Sequence, residues 1–191
     1  MRDGSGKRER ASTWFARLLR EQVELLGEFV GDEHQLVPIP SSDVTPEPVS
    51  RANWPMYDLA KQMEVEGLVA QASPSLLRRT VVPKAHSVPT VDKPSVLDHL
   101  DSLAIDFDAL SMDAPLTLLD DVVSSGTTAM ACLLALRNQG FEGEVRLLTA
   151  THTVSGDYDG SPTASAHSEV VWFDDRGWRR AWRPPNDVEF V

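Results

Sequence analysis

The chain has 191 residues, with 29 acidic against 18 basic side chains and a formal net charge of -11. That length suits one domain with a real core, and that charge argues against direct binding to nucleic acid or to an anionic membrane. A single cysteine (Cys132) rules out an internal disulfide and suits a reducing, cytoplasmic setting, and no apolar run is long enough to cross a membrane.

Residues 1–11 are charged and lack the apolar stretch of a signal peptide, so a disordered lead is expected. Ser12 or Thr13 is placed to cap a first helix. Its apolar residues run Trp14, Phe15, Leu18, Leu19, Val23, Leu25, Leu26, Phe29 and Val30, at helical spacing, and Gly31 is placed to end it. Residues 35–40 predict a short strand with prolines at its end. A polar loop follows over 41–48, then a helix over 54–64 with Asn53 as cap and Pro55 in the first turn.

Residues 76–94 are the least regular part, with Arg78, Arg79, Lys84 and His86 among three prolines; long loops with their own chemistry are often lids. Residues 95–103 predict a short amphipathic helix through Val96, Leu97, Leu100 and Leu103. A strand from Leu116 leads to a helix over 127–139, with Gly140 just past its end, and then to a strand over 145–150. After a small-residue loop at 155–165 comes a last strand over 169–173. The tail carries Trp178, Arg179, Arg180, Trp182 and Arg183, which suit either a surface flap or a contact with an anion or partner. Strands alternating with helices predict an α/β fold with a mostly parallel sheet flanked by helices on both faces. In such sheets ligands bind at the carboxyl ends of strands, near a switch point.

The most informative stretch is Leu118-Leu119-Asp120-Asp121-Val122-Val123-Ser124-Ser125-Gly126-Thr127-Thr128. An apolar strand runs into two adjacent carboxylates, and a turn of small hydroxyl residues opens the next helix. Backbone N–H groups of such a turn converge with the helix dipole on one spot that suits a phosphate. Two neighbouring carboxylates are costly unless hydroxyls or a cation sit on them. A ribose phosphate meets both demands. The plain alternative is a solvated strand end, and a phosphoryl-aspartate site is a rival. The histidines at 34, 99, 152 and 167 have no metal-ligand spacing.

This stretch resembles the phosphoribosyl-pyrophosphate signature of the type I phosphoribosyltransferases. Val37-Pro38-Ile39-Pro40 with Arg51 and Leu59-Ala60, and Leu76-Leu77-Arg78-Arg79-Thr80, are loosely similar to the competence-associated (ComF-like) branch. Where that branch has Arg-Gly-Phe-Asn-Gln, this chain has Arg51-Ala52-Asn53-Trp54-Pro55. The resemblance implies the type I phosphoribosyltransferase fold in one domain over 12–191, with a hood built from about 12–33 and 172–191. It implies a transferase of nucleotide metabolism, such as purine or pyrimidine salvage, that uses 5-phosphoribosyl 1-pyrophosphate and Mg2+.

The residue roles it implies are these. Asp120 and Asp121 hold the ribose hydroxyls, with the metal close by, and Ser124, Ser125, Gly126, Thr127 and Thr128 cradle the 5-phosphate. Ser41, Ser42 and His86 bind pyrophosphate, and Arg79 and Lys84 belong to a flexible catalytic loop. Trp172 or Phe173 meets the acceptor, although a plain core aromatic on a strand explains either one as well. A binding subunit that holds the same ligand without turnover is the alternative function, and a homodimer or a protein partner is compatible with both.

Overall fold

The computed structural model describes residues 10–41, 54–78, 80, 94–123, 126–152, 168–174 and 177–183. Two compact units divide the chain at Thr153, Met1–Thr153 and Val154–Val191. Among the described residues no helix is long and apolar enough to cross a membrane.

The first unit is built on four parallel strands, β1 (Gly31–Pro38), β2 (Val69–Ala72), β5 (Leu116–Val123) and β6 (Val145–His152), in the order β2-β1-β5-β6. The central strand β5 is buried from Leu116 to Leu119 because helices cover both faces, as its unbroken apolar run implies. Strand alternation sends Leu116 and Leu118 to one face and Leu119 to the other. On the first face they meet Ala131, Cys132, Ala135 and Leu136 of α5 (Thr127–Asn138). On the second face, Leu36 and Leu119 meet Ala16 of α1 (Ala11–Glu21) and Leu59, Ala60 and Met63 of α3 (Pro55–Val65). Each fully buried leucine contributes about 1.5–3 kcal/mol. Thr117 is the polar exception in this buried run, and its hydroxyl donates to the Phe29 carbonyl at 2.7 Å.

Helix α5 ends as its sequence implies. Gly140 adopts a left-handed φ of 87°. Its N–H donates to Arg137 O, and the Phe141 N–H donates to Leu136 O, which satisfies the last carbonyls. The short helix α4 (Val96–Asp101) is capped reciprocally, with Ser95 Oγ accepting from the Asp98 N–H and the Asp98 carboxylate accepting from the Ser95 N–H.

Several local expectations are corrected. The first helix does not run to Val30. It stops at Glu21, restarts as α2 (Val23–Leu26), and passes through a tight turn, Gly27–Phe29. Gly27, at φ 45°, ends the helical run four residues early, and Gly31 opens β1 instead. Arg10 occupies the N-cap position of α1, and Thr13 uses its hydroxyl on Gln62 of α3. Trp54 stands at the N-cap of α3, and Asn53 lies outside the described residues. Leu76–Arg78 is not loop but the strand β3, antiparallel to β4 (Leu103–Ile105). Leu103, expected on a helix, is therefore on a strand, and Leu97 is 65% exposed.

In the second unit β7 (Ser168–Asp174) pairs antiparallel with β8 (Gly177–Arg183). The basic aromatic tail is thus a strand of a hairpin. Of the expected hood, 172–174 and 177–183 fall on these two strands. The other part, 12–33, falls on α1, α2 and the start of β1, where α1 packs on α3 through Ala16 and the Arg20–Glu66 ion pair.

Candidate functional site

All four strands of the sheet are parallel, so their carboxyl ends share one edge. From β1 the chain crosses through α3 to β2 on one side. From β5 it crosses through α5 to β6 on the other. The two crossovers cover opposite faces, so the switch point lies between β1 and β5, where an open α/β sheet forms its crevice.

Asp120 and Asp121 stand on β5 beside that switch point. The strand carries both acids and continues to Val123, with Asp120 opposite Thr149 and Val122 opposite Thr151 of β6. Asp120 is half-buried and Asp121 is exposed. The two-residue period points them to opposite faces of the strand, Asp120 to the α5 side and Asp121 to the α3 side. Each carboxylate turns one oxygen back on the chain: Asp120 Oδ1 accepts the Asp121 N–H at 3.0 Å, and Asp121 Oδ1 accepts the Val122 N–H at 2.8 Å.

Past the strand, Gly126 is the N-cap of α5, with φ 74° and ψ 5°. That left-handed conformation favours glycine, and a Cβ there would meet nothing within 4 Å, so the backbone faces open space. The first turn of α5 carries no acidic side chain and no side-chain cap, which leaves the positive end of a 12-residue helix directed at this edge. Thr127 and Thr128 are half-buried in that turn. The structure thus brings Asp120, Asp121, Gly126, Thr127 and Thr128 to one edge, and Ser41 follows β1 at the same edge.

The remaining expected site residues are not all in view. Ser42, Arg79, Lys84, His86, Ser124 and Ser125 lie outside the described residues. Trp172 and Phe173 are described by backbone alone, on β7 opposite Arg179 and Trp178.

Two residue sets at the edge escaped the sequence reading. Thr149 Oγ1 donates to the Asp121 carbonyl at 3.4 Å, and Thr151 follows it on β6. The Thr149-Ala150-Thr151 alternation at the end of a strand was the available signal. Trp54 is buried at the start of α3, and its indole N–H donates to the Ile39 carbonyl at 3.2 Å. No sequence signal foretells that contact.

The donor set suits a hard cation. Among the described residues no group of three or more His, Cys, Asp or Glu side chains could hold a metal by itself. Two carboxylates fit the habit of Mg2+, which keeps several waters and is bound by one or two acids together with substrate phosphates. No protein-family model matches the chain, and no curated protein matches it.

Proposed function

We propose that the chain is a phosphoribosyltransferase that binds 5-phosphoribosyl 1-pyrophosphate with Mg2+. It transfers the phosphoribosyl group to a nucleobase or another amine acceptor and releases pyrophosphate. The observation that carries this reading is the adjacency of Asp120-Asp121 to the glycine-led start of α5, at the switch point between β1 and β5.

In this reading the carboxylates accept hydrogen bonds from the ribose 2- and 3-hydroxyls. The turn and first residues of α5, from Ser124 to Thr128, hold the 5-phosphate through N–H donors and the helix dipole. Ser41, which follows β1, together with Ser42 and His86, receives the pyrophosphate. Arg79 and Lys84 supply cationic charge to it as it leaves. The acceptor nitrogen bonds to the anomeric carbon, the carbon–oxygen bond to pyrophosphate breaks with its electron pair leaving on the pyrophosphate, and the nitrogen's proton passes to that pyrophosphate or to solvent. Positive character on the anomeric carbon is stabilised by nearby carboxylate charge. Bound Mg2+ would neutralise charge on the pyrophosphate.

The test is pyrophosphate release from phosphoribosyl pyrophosphate across a panel of nucleobases and amines. Turnover is expected with at least one acceptor and is lost in the Asp120→Asn/Asp121→Asn double variant. Full activity in that variant sinks the assignment. The run Arg51-Ala52-Asn53-Trp54-Pro55, at the place where the related branch has Arg-Gly-Phe-Asn-Gln, favours a second reading, a regulatory or assembly subunit that binds the donor without turnover. Binding with no release of pyrophosphate across the panel selects it.

A further inference from the structure

The parallel register of β1 and β5 sets Pro38 opposite Leu119, and one step on the Ile39 N–H donates to Leu119 O at 2.8 Å. In that register the next rung joins the Asp121 N–H to the Ile39 carbonyl. Here that carbonyl accepts the Trp54 indole N–H at 3.2 Å instead, and the Asp121 N–H turns onto Oδ1 of Asp120 at 3.0 Å. Two side chains thus stand in for one backbone rung, at the point where the strands part. Trp54 is only 1% exposed and stacks on Tyr57 with ring centroids 5.5 Å apart. A buried indole keeps a partner for its N–H, and its bulk fixes the spacing around it.

We propose that Trp54 is a positioning residue that ends the β1–β5 ladder at Leu119 and holds open the crevice in which Asp120 meets its ligand. The crevice follows from the ladder geometry, whereas its occupant, a ribose-phosphate donor, rests on the function proposed above. By taking the Ile39 carbonyl, Trp54 leaves the Asp121 N–H to Asp120. The Asp120 carboxylate is thereby oriented by its neighbour's backbone rather than by the opposite strand.

Trp54→Phe keeps a ring in the core and removes the donor. Its Ile39 carbonyl is expected to take the Asp121 N–H, closing one more rung. Hydrogen exchange at the Asp121 amide should then slow by roughly tenfold or more. The Kd for phosphoribosyl pyrophosphate with Mg2+ should rise by roughly three- to tenfold, as for loss of one hydrogen bond. A core role alone would not slow exchange at this amide. Unchanged or faster exchange at Asp121 in a folded variant overturns the proposal. Slower exchange with an unchanged Kd overturns its link to the ligand. If the parent protein binds no donor while exchange still slows in the variant, the ladder role stands and the ligand reading falls. Should Trp54→Phe fold poorly, 3-benzothienylalanine at this position keeps the indole shape without the N–H and takes the same test.

Discussion

The two edges of the parallel sheet are built differently. At the amino edge, side chains tie distant parts of the chain together. Arg146 on β6 donates to the Glu28 carbonyl, 118 residues away, and pairs with the carboxylates of Glu28 at 3.5 Å and Glu144 at 2.8 Å. It also lies 3.1 Å from Nε2 of His34. Nδ1 of that ring is buried with no hydrogen-bond partner among the described residues. Gln35 reaches across 76 residues, donating to the Ser111 carbonyl and accepting the Ser111 N–H. At the carboxyl edge, by contrast, Asp120 and Asp121 each accept the N–H of the very next residue. Long-range bonds hold the fold at one edge. The other edge presents carboxylates, hydroxyls and a helix start, bridged there by Trp54 to the Ile39 carbonyl and by Thr149 to the Asp121 carbonyl.

Substitutions at the two edges should have opposite signatures. The largest effect is expected at the carboxyl edge, where Asp120→Asn/Asp121→Asn abolishes donor binding and turnover. Asparagine keeps the oxygen that accepts the backbone N–H, so the thermal midpoint should stay within a few degrees of the parent; a collapse in melting temperature would place these acids in the stabilising set instead. Next comes Gln35→Leu, which removes the partners of the partly buried Ser111 and Ala114 backbone groups and should cost about 1–3 kcal/mol by urea denaturation. Donor affinity of the folded fraction should be unchanged.

Arg146→Ala is expected to cost less, about 1–2 kcal/mol, since its side chain is partly in contact with solvent and its ion pairs are screened. That loss should shrink in high salt. The smallest effect lies away from both edges, in α4. The Ser95 hydroxyl, followed by the Ser95 N–H, holds the Asp98 carboxyl below the usual carboxylate range. A group whose folded pKa is depressed adds stability above its unfolded value, about 3.9, and loses it as pH falls through the folded value. Ser95→Ala should therefore lower the melting temperature slightly at pH 7, and the difference should fade below the ordinary aspartate range.

Much of this arrangement is legible in the residues themselves, for local reasons. The α5 helix announces itself with Gly126 before it and Gly140 after it, and Ser95 with Asp98 announces α4. The carboxyl-edge acids are legible because an apolar strand that runs into charge must be leaving the core. What escapes is set by pairing rather than by pattern. Strands β2, β3 and β4 have four, three and three residues, too short for alternation to register. The hairpin partner β8 hides among arginines, although two β-rich runs only two residues apart were a usable signal. The break after Glu21 falls within a continuous apolar period that does not show it, and the glycine at 27 marks only the later end of α2. The crevice itself needs the strand order, and the role of Trp54 needs the β1–β5 register, neither of which a single chain of letters displays.

One measurement bears most directly on the division between the two edges and on the proposed ligand. It is a calorimetric titration of the full chain with phosphoribosyl pyrophosphate in the presence of Mg2+, run beside the Asp120→Asn/Asp121→Asn variant. Saturable binding by the parent, lost in a variant that melts at nearly the same temperature, is the expected result. Equal binding by both proteins, or no binding by the parent, would contradict it.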